Sequence, residues 1–338
     1  MKIRKDLTLE YGVRFSKMTN NVEGNGLGSV FVPETYDPRR GAFVDEENRY
    51  LNCVRCAELG QVDDNLVDSR PLFVVPRLNV AWDIEGDGGL ILRGGAGLFY
   101  NRPIGNAQYN VFSIPPYARA ISVTAIDRLP PGFDCLTYDS LRHIDPLSRL
   151  GTQGATTLSP DSIDYPRYLT GSLSLGTRLP WRQFLEVGHV GTVGRHLLNL
   201  RRINVIDEGA LLSGTLGNAD LSVPVNRVAL ATDALNPLRP FPALGDVSYW
   251  EYNGTSNYHA LQATLSRQTG GRFQYFLAYT FSKALGLWSN ESQAVDPFDE
   301  RNRSYGVLPY DRTHVLTASM TGRCRTSRTA TTASSRAC

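Results

Sequence analysis

The sequence predicts an all-β protein, a segment of an antiparallel transmembrane β-barrel with about eight strands in an open, curved sheet. Three observations predict this class. Apolar and polar residues alternate along eight segments, most segments approach ten residues in length, and short connections alternate with long ones. A bacterial barrel has these properties, because each strand faces lipid on one side and a wet lumen on the other, with short periplasmic turns and long extracellular loops.

The composition is compatible with such a barrel and argues against a nucleic-acid-binding protein and a helical membrane protein. The 338 residues carry a formal net charge of +2, with Lys and Arg scattered along the chain, so nucleic acid is not an expected partner. No stretch reaches the roughly 20 apolar residues that a membrane helix needs, which excludes a helical membrane protein. A transmembrane strand escapes that test, because its two faces average out.

The first predicted strand runs from Leu7 to Phe15. Its odd positions are apolar and its even positions are mostly polar, including Glu10 and Arg14. An Arg or Lys facing lipid at the midplane costs about 2–4 kcal/mol, whereas one facing the lumen costs little. The odd positions are therefore predicted to face lipid.

Seven further segments repeat this alternation. They lie at about 77–84, 90–100, 169–175, 185–188, 261–266, 273–282 and 312–320. Mid-strand charges such as Arg93 and Glu186 again fall on the polar face. Aromatic residues favour the strand ends, as expected of interfacial girdles: Phe15, Tyr100, Phe273 and Phe281.

The connections alternate in length. Short ones join the strands at 85–89, 178–182 and 268–272, and long ones lie at about 17–75, 101–167, 194–245 and 284–311. A compact soluble domain rarely carries loops beyond about 12–15 residues, so this rhythm favours the barrel. Within the third long connection, Gly245–Tyr252 is predicted to extend a hairpin above the membrane.

The two ends predict a fragment. Met1–Lys5 is charged and leads into a strand with no apolar signal-peptide core, so the chain is expected to begin within the barrel. Residues 1–320 are assigned to a partial barrel. Residues 321–338, rich in Arg, Thr, Ser, Ala and Cys, are expected to be disordered and are interpreted as translation in a shifted frame, with an ordinary basic tail as the alternative.

Several segments resemble one family. They are Asp6–Arg14, Leu92–Tyr100, Ser256–Gln262, Tyr279–Lys283 and Asp311–His314. In order and spacing they resemble the barrel of TonB-dependent receptors, specifically the large acidobacterial and myxobacterial type that begins with a carboxypeptidase-regulatory-like domain. The resemblance covers about Asp6 to Met320.

The resemblance implies an outer-membrane location, uptake of a ligand, outer-membrane lipid as the surroundings, and a TonB-type energy-coupling partner. That partner would act through a plug that the given sequence lacks, and a complete barrel of the family has about 22 strands. No cofactor is implied. The alternative function is a secreted β-rich protein that binds carbohydrate or another ligand, in which a second sheet would cover the apolar face.

No catalytic, cofactor-binding or metal-binding residue is predicted, and the ligand-binding residues are unknown. The glycine-rich loop Gly24–Gly28 neither follows a strand nor opens a helix, which argues against a nucleotide loop. Two acidic pairs, Asp161 with Asp164 and Asp296 with Asp299, could hold calcium or act as acid and base. Turn formation is the favoured interpretation of both.

Three other groups have two interpretations each. His189 and His259 are predicted on the lipid face near strand ends, as interfacial side chains and not as bases or ligands. Tyr249, Trp250 and Tyr252 could form a stacking platform for a sugar or siderophore, with ordinary packing as the favoured alternative. Cys53 and Cys56 form a lone C-x-x-C, predicted as a local disulfide or as plain thiols.

Overall fold

A computed structural model describes residues 4–40, 52, 54–66, 72–102, 105–112, 117, 134–135, 137–143, 153–159, 164–210, 215–216, 219–220, 222, 237–242, 244–267, 273–287 and 293–322. These residues contain fourteen strands: β1 (Leu7–Ser16), β2 (Ser29–Phe31), β3 (Val54–Cys56), β4 (Phe73–Asp83), β5 (Leu90–Tyr100), β6 (Gln153–Leu158), β7 (Arg167–Leu179), β8 (Gln183–Arg202), β9 (Thr215–Leu216), β10 (Ala219–Asp220), β11 (Leu244–Arg267), β12 (Phe273–Leu287), β13 (Tyr305–Val307) and β14 (His314–Gly322). They also contain two short α-helices, α1 (Gly105–Val111) and α2 (Tyr138–Arg142), two 3-10 turns at Pro33–Thr35 and Pro180–Arg182, and a π-helical turn at Glu300–Ser304.

One large open sheet contains all eight predicted strands. Its antiparallel order is β1, β4, β5, β7, β8, β11 and β12, and β14 pairs with β12 as the last long strand. Short β13 pairs with the upper end of β12, while β6 runs parallel to β11. The predicted fold class is confirmed. Neither described helix has the length and hydropathy needed to cross a bilayer.

The register places like residues side by side. Leu9 lies opposite Val80, and Glu10 lies opposite Asn79. Because side chains alternate between faces, a slip of one residue would turn every apolar side chain to the wrong side. We call the face that carries Leu9 and Leu173 the lipid face and the opposite one the lumen face. Leu173 is 55% exposed, as expected of a side chain whose neighbours are lipid.

Two strands are much longer than predicted. β8 has 20 residues and β11 has 24, beyond the roughly 9–11 that cross a bilayer. Their outer ends form a two-stranded arm in which Gly245–Tyr252 belongs to β11, so the predicted hairpin extension is confirmed. The register shifts on both sides of Gly254, and His196 on the partner strand has φ 54°. These bulges separate the arm from the membrane-spanning part, which we call the wall.

The long connections, predicted only as loops, fold into a second unit. We call it the cap: the described residues of 20–66, 105–112 and 153–165, together with the arm. Its core draws on every one of these segments. The side chains there are at most 5% exposed: Val30, Leu66, Val111, Leu158, Leu200, Trp250 and Tyr252.

The short connections are tight turns at the other end of the wall. Between β4 and β5, the Asp83 carboxylate accepts hydrogen bonds from the backbone N–H groups of Gly86 (3.0 Å) and Gly88 (2.7 Å). Both glycines have positive φ, 80° and 74°, which other residues rarely adopt. Between β7 and β8, Trp181 lies in the turn and is 77% exposed. The third predicted turn, 268–272, lies outside the described residues.

The structure tests the prediction for the C-terminal end of the chain only in part. β14 reaches Gly322, two residues beyond the predicted boundary at 320. Residues 323–338 lie outside the described residues, so a disordered or frame-shifted tail stays a prediction. Cys53 and Asp161 also lie outside them. Cys56 is buried at the end of β3, and the disulfide with Cys53 stays a prediction.

Candidate functional site

The lumen face of the wall carries a polar network across three strands. Arg93 on β5 donates to the Glu186 carboxylate on β8 at 3.4 Å, and Ser174 on β7 donates to the same carboxylate at 2.8 Å. Further out on the same face, the hydroxyls of Thr170 and Thr192 are 3.3 Å apart. This surface offers fixed donors and acceptors to a polar solute.

A shallow groove lies on the lumen face near the first edge of the sheet. Glu10, Arg14, Arg77 and Asn79 line it. On the neighbouring strand, a side chain at Gly95 would collide with the Asn79 amide. The missing side chain leaves room for that amide on the lumen face, so the groove combines both signs of charge with hydrogen-bonding groups.

The cap closes over the outer end of this face. Phe73 and Val75 continue the lumen-facing row of Arg77 on β4, yet they are only 1% and 6% exposed. Tyr165 stacks on Phe73, with ring centroids 4.7 Å apart and planes at 21°. Its hydroxyl donates to Asn20 at 2.7 Å, and burial raises its pKa. The cap therefore leans over the lumen and not over the lipid face.

Of the two interpretations of the aromatic run Tyr249–Tyr252, the less favoured one, an exposed stacking platform, is wrong. Trp250, Tyr249 and Tyr252 are 4%, 7% and 5% exposed, because loop segments of the cap cover the arm on which they lie. Trp250 and Tyr252 pack in the cap core with Leu200, and burial raises the pKa of Tyr252. Their role is packing, the favoured interpretation from sequence.

A polar cluster fixes another loop to the arm. We call residues 293–304 the strap. Arg201 on the arm lies 2.7 Å from the Glu251 carboxylate and 3.0 Å from that of Glu300 in the strap. Asn199 and Asn253 each donate to Glu300 at 3.2 Å. Burial, followed by the nearby Glu251 charge, raises the pKa of Glu300.

The two acids in the strap form turns. Asp296 accepts from the backbone N–H groups of Phe298 and Asp299, both at 2.9 Å. Asp299 accepts from the backbone N–H of Asn302 at 3.1 Å and so caps the π-helical turn. These hydrogen bonds lower the pKa of each carboxyl, for Asp296 chiefly through the Asp299 N–H and for Asp299 chiefly through the Asn302 side chain.

Metal binding finds no support in the part of the chain that the structure describes, where no three His, Cys, Asp or Glu side chains converge. Asp164 instead lies 3.3 Å from Nδ1 of His196. The loop Gly24–Gly28 is likewise a structural turn, because Glu23 accepts from the N–H groups of Asn25 (2.8 Å) and Leu27 (2.7 Å). A phosphate would need such amides free.

Two of the segments that resemble TonB-dependent receptors, Tyr279–Lys283 and Asp311–His314, contact each other in the fold. Asp311 accepts from the backbone N–H of Ala284 at 2.6 Å and lies 3.4 Å from the Lys283 ammonium. The Ser282 hydroxyl donates to the carbonyl of Arg312 at 2.9 Å. Together they lock the start of β14 onto β12, and the Ala284 N–H, as the largest cause, lowers the pKa of Asp311.

His189 and His259 lie side by side on the lipid face. Their rings stack with centroids 5.5 Å apart, and Nδ1 of His259 is 3.4 Å from Nε2 of His189. Gly191 makes room for both rings, since a Cβ there would lie 3.2 Å from His259. The predicted face is correct, but the predicted position near strand ends is wrong, because β8 and β11 extend well past both residues.

A comparison with protein-family models agrees with this architecture. A family model described as "Outer membrane beta barrel domain" matches residues 1–336. No curated protein sequence matches the chain. Three similar solved structures are the outer membrane transporter YddB of Escherichia coli (9% identity, TM-score 0.37, 64% of this chain and 20% of that chain), the ferric-catecholate import receptor Fiu of E. coli K12 (11%, 0.38, 94% and 30%), and the FrpB iron transporter of Neisseria meningitidis (10%, 0.37, 96% and 39%).

The chain thus spans between about a fifth and two fifths of the length of these three solved proteins. The family model, in contrast, covers nearly the whole chain and agrees with the strand register, the exposed lipid face and the polar lumen face. The chain belongs to the outer membrane β-barrel domain family, and its location is the outer membrane.

Proposed function

We propose that this chain is part of a TonB-dependent receptor that takes up a ligand across the outer membrane. The receptor would be of the large acidobacterial and myxobacterial type with a carboxypeptidase-regulatory-like N-terminal domain. The observation that carries the proposal is the cap, a packed unit that covers Phe73 and Val75 at the outer end of the lumen face. Such a unit can hold a ligand at the cell surface, at the entrance to the lumen.

The lumen face supports the second half of the proposal, passage of a polar solute. Arg93, Glu186 and Ser174 are linked by hydrogen bonds, so none of them is an isolated charge that would trap a solute. In a receptor of this kind a TonB-type partner would supply the energy through a plug, and outer-membrane lipid would surround the wall. No step in this role makes or breaks a covalent bond, so we propose no enzymatic activity.

The alternative of a secreted binding protein lacks a supporting observation. It requires a second sheet over the apolar face of the first. Among the described residues, the only other sheets are the pairs β2–β3 and β9–β10, and Leu169 and Leu173 on the lipid face remain 54% and 55% exposed.

The test is uptake by living cells that carry the gene or lack it. Cells with the gene disrupted, and the same cells complemented, are grown on one medium with and without a protonophore. Depletion of each solute from the medium is measured by mass spectrometry. We expect at least one solute whose uptake needs both the gene and the proton-motive force.

Complementation with two variants sharpens this test. Glu186→Gln alters the lumen face and should slow the uptake of that solute, whereas Leu175→Val alters only the lipid face and should not. If no solute shows a gene-dependent difference that the protonophore abolishes, the receptor proposal is wrong and only the barrel assignment remains.

A further inference from the structure

The outer rim of the lipid face carries two arginines directly opposite each other. Arg167 on β7 pairs with Arg195 on β8. The next pair toward the membrane is Leu169 with Val193, and side chains two residues apart on a strand share a face. Both arginines therefore lie on the lipid face, one step beyond its last apolar pair and next to the cap.

The positive charge of this pair is not neutralised within the described residues. Neither guanidinium is joined there to a carboxylate by an ion pair or hydrogen bond, and Asp164, three residues before Arg167, lies instead against His196 at 3.3 Å. Like charges directly opposite each other destabilise a sheet. Repulsion between the two guanidinium groups thus destabilises the sheet, and an anion bound between the two side chains would remove this repulsion.

One member of the pair is held in place. The Arg195 guanidinium donates to the carbonyl of Gly194 at 2.7 Å and to the carbonyl of Ser256 and the Asn257 side-chain oxygen, both at 3.4 Å. Asn257 in turn donates to the Tyr305 hydroxyl at 2.8 Å. A group fixed before the ligand arrives loses less conformational entropy on binding.

Another positive charge on this face, that of Lys283, is neutralised. Lys283 lies 3.4 Å from Asp311, and that carboxylate is already engaged by the Ala284 N–H. Arg167 and Arg195 differ from Lys283, because they lie directly opposite each other and no carboxylate pairs with either of them among the described residues.

We propose that Arg167 and Arg195 bind a phosphate group of an outer-leaflet lipid. Guanidinium groups bind phosphate through paired, charge-assisted hydrogen bonds, and anionic headgroups attract basic side chains at the membrane surface. The acyl chains of the same lipid would lie along Leu169 and Val193, directly below. The site fixes the depth of the wall in the leaflet and is independent of what the lumen transports.

The test measures lipid binding by the full chain, reconstituted in phosphatidylcholine nanodiscs. Labelled lipid A that carries its phosphates is compared with the dephosphorylated form. The wild-type chain should bind the phosphorylated lipid about tenfold or more tightly, a difference of about 1.4 kcal/mol or more. The variants Arg167→Gln and Arg195→Gln, and the double variant, should lose this preference.

Arg77→Gln is the matched control, since Arg77 is an exposed arginine on the lumen face. This variant should leave the preference for phosphorylated lipid A unchanged. Arg167→Gln decides the case if changes at Arg195 impair folding, because the Arg167 side chain makes no hydrogen bond within the described residues. The proposal is overturned by an undiminished preference in Arg167→Gln, by equal binding of the two lipids to the wild-type chain, or by displacement of lipid A with inorganic phosphate at equal concentration.

Discussion

Leucine side chains are exposed in the wall and buried in the cap. In the wall, Leu173 and Leu175 are 55% and 44% exposed, whereas in the cap Leu66 and Leu158 are 2% and 1% exposed. The wall's leucines are matched to a surrounding solvent of lipid, and its backbone groups are satisfied by the strand ladders. The cap's leucines are matched to each other, as in a soluble domain. One chain therefore combines two kinds of stability.

Removing a core side chain from the cap should have the largest effect. Trp250→Ala leaves a cavity among side chains that are nearly fully buried, which costs about 3–5 kcal/mol. Trp181→Ala is the control, because Trp181 is 77% exposed in the turn at the opposite end. Limited proteolysis of the cap along a denaturant series measures the difference. Equal resistance of the two variants would show that the cap has no cooperative core.

A charge on the lipid face should affect insertion by a similar amount. Leu173→Arg places a guanidinium in the middle of the lipid-facing row of β7 and should weaken insertion into vesicles by about 2–4 kcal/mol. Ser172→Arg, one residue away on the lumen face, should change it little. The measurement is equilibrium folding from urea into lipid vesicles. A larger loss for Ser172→Arg would reverse the assignment of the faces.

The strap should depend on one arginine. Arg201→Ala leaves Glu251 and Glu300 facing each other without their shared cation, and because Arg201 is 30% exposed we expect a loss of about 2 kcal/mol, below the value for a fully buried pair. Arg202→Ala is the control, since the neighbouring arginine is exposed. Hydrogen exchange of residues 293–304 reports the effect. Equal protection in both variants would contradict the role of the ion pairs.

Acid should loosen the loops around the cap more than the wall. The pKa values of Asp296 and Asp299 are lowered from 3.8 by hydrogen bonds, so their stabilisation is present above pH 3.8 and is lost as the pH falls below it. Glu300 acts in the opposite sense, because its pKa is raised from 4.5. Its contribution favours the folded state below pH 4.5 and is lost as the pH rises through the raised value.

Two variants separate these contributions. Glu300→Gln removes the opposing effect and should enlarge the drop in cap stability between neutral pH and about pH 3. Asp296→Asn should reduce the same drop. Denaturant midpoints of the cap at the two pH values provide the measurement. A drop that neither variant changes would mean that these carboxyls are not coupled to the fold of the cap.

The sequence predicted the wall well, because one physical rule acts on every residue of it. Alternation from Leu7 to Phe15 identifies β1 and its lipid face, and the bounds of β5 agree with the predicted segment. The predicted segments are shorter than the observed strands β8 and β11, because the alternation of apolar and polar residues ends before these strands do. Above the bulges around Gly254, the arm faces the cap core on one side, and the two-residue rhythm set by lipid no longer applies.

The cap could not be predicted from sequence for a related reason. Val30, Leu66, Val111 and Trp250 share one core, yet they come from segments far apart in the chain without a common period. The aromatic run Tyr249–Tyr252 suggested an exposed platform because nothing local shows that another loop covers it. Likewise, the opposition of Arg167 and Arg195 exists only through the register of β7 with β8.

The most direct test of the two faces uses spin labels at adjacent positions of β7. With the five native cysteines changed to serine, Leu173→Cys and Ser172→Cys are each labelled with a nitroxide in lipid vesicles. Collision with oxygen, which partitions into lipid, and with a water-soluble nickel chelate is measured by electron paramagnetic resonance. The label at position 173 should favour oxygen and the label at 172 the nickel chelate. Equal accessibilities, or the reverse order, would contradict the assignment of one face to lipid and the other to the lumen.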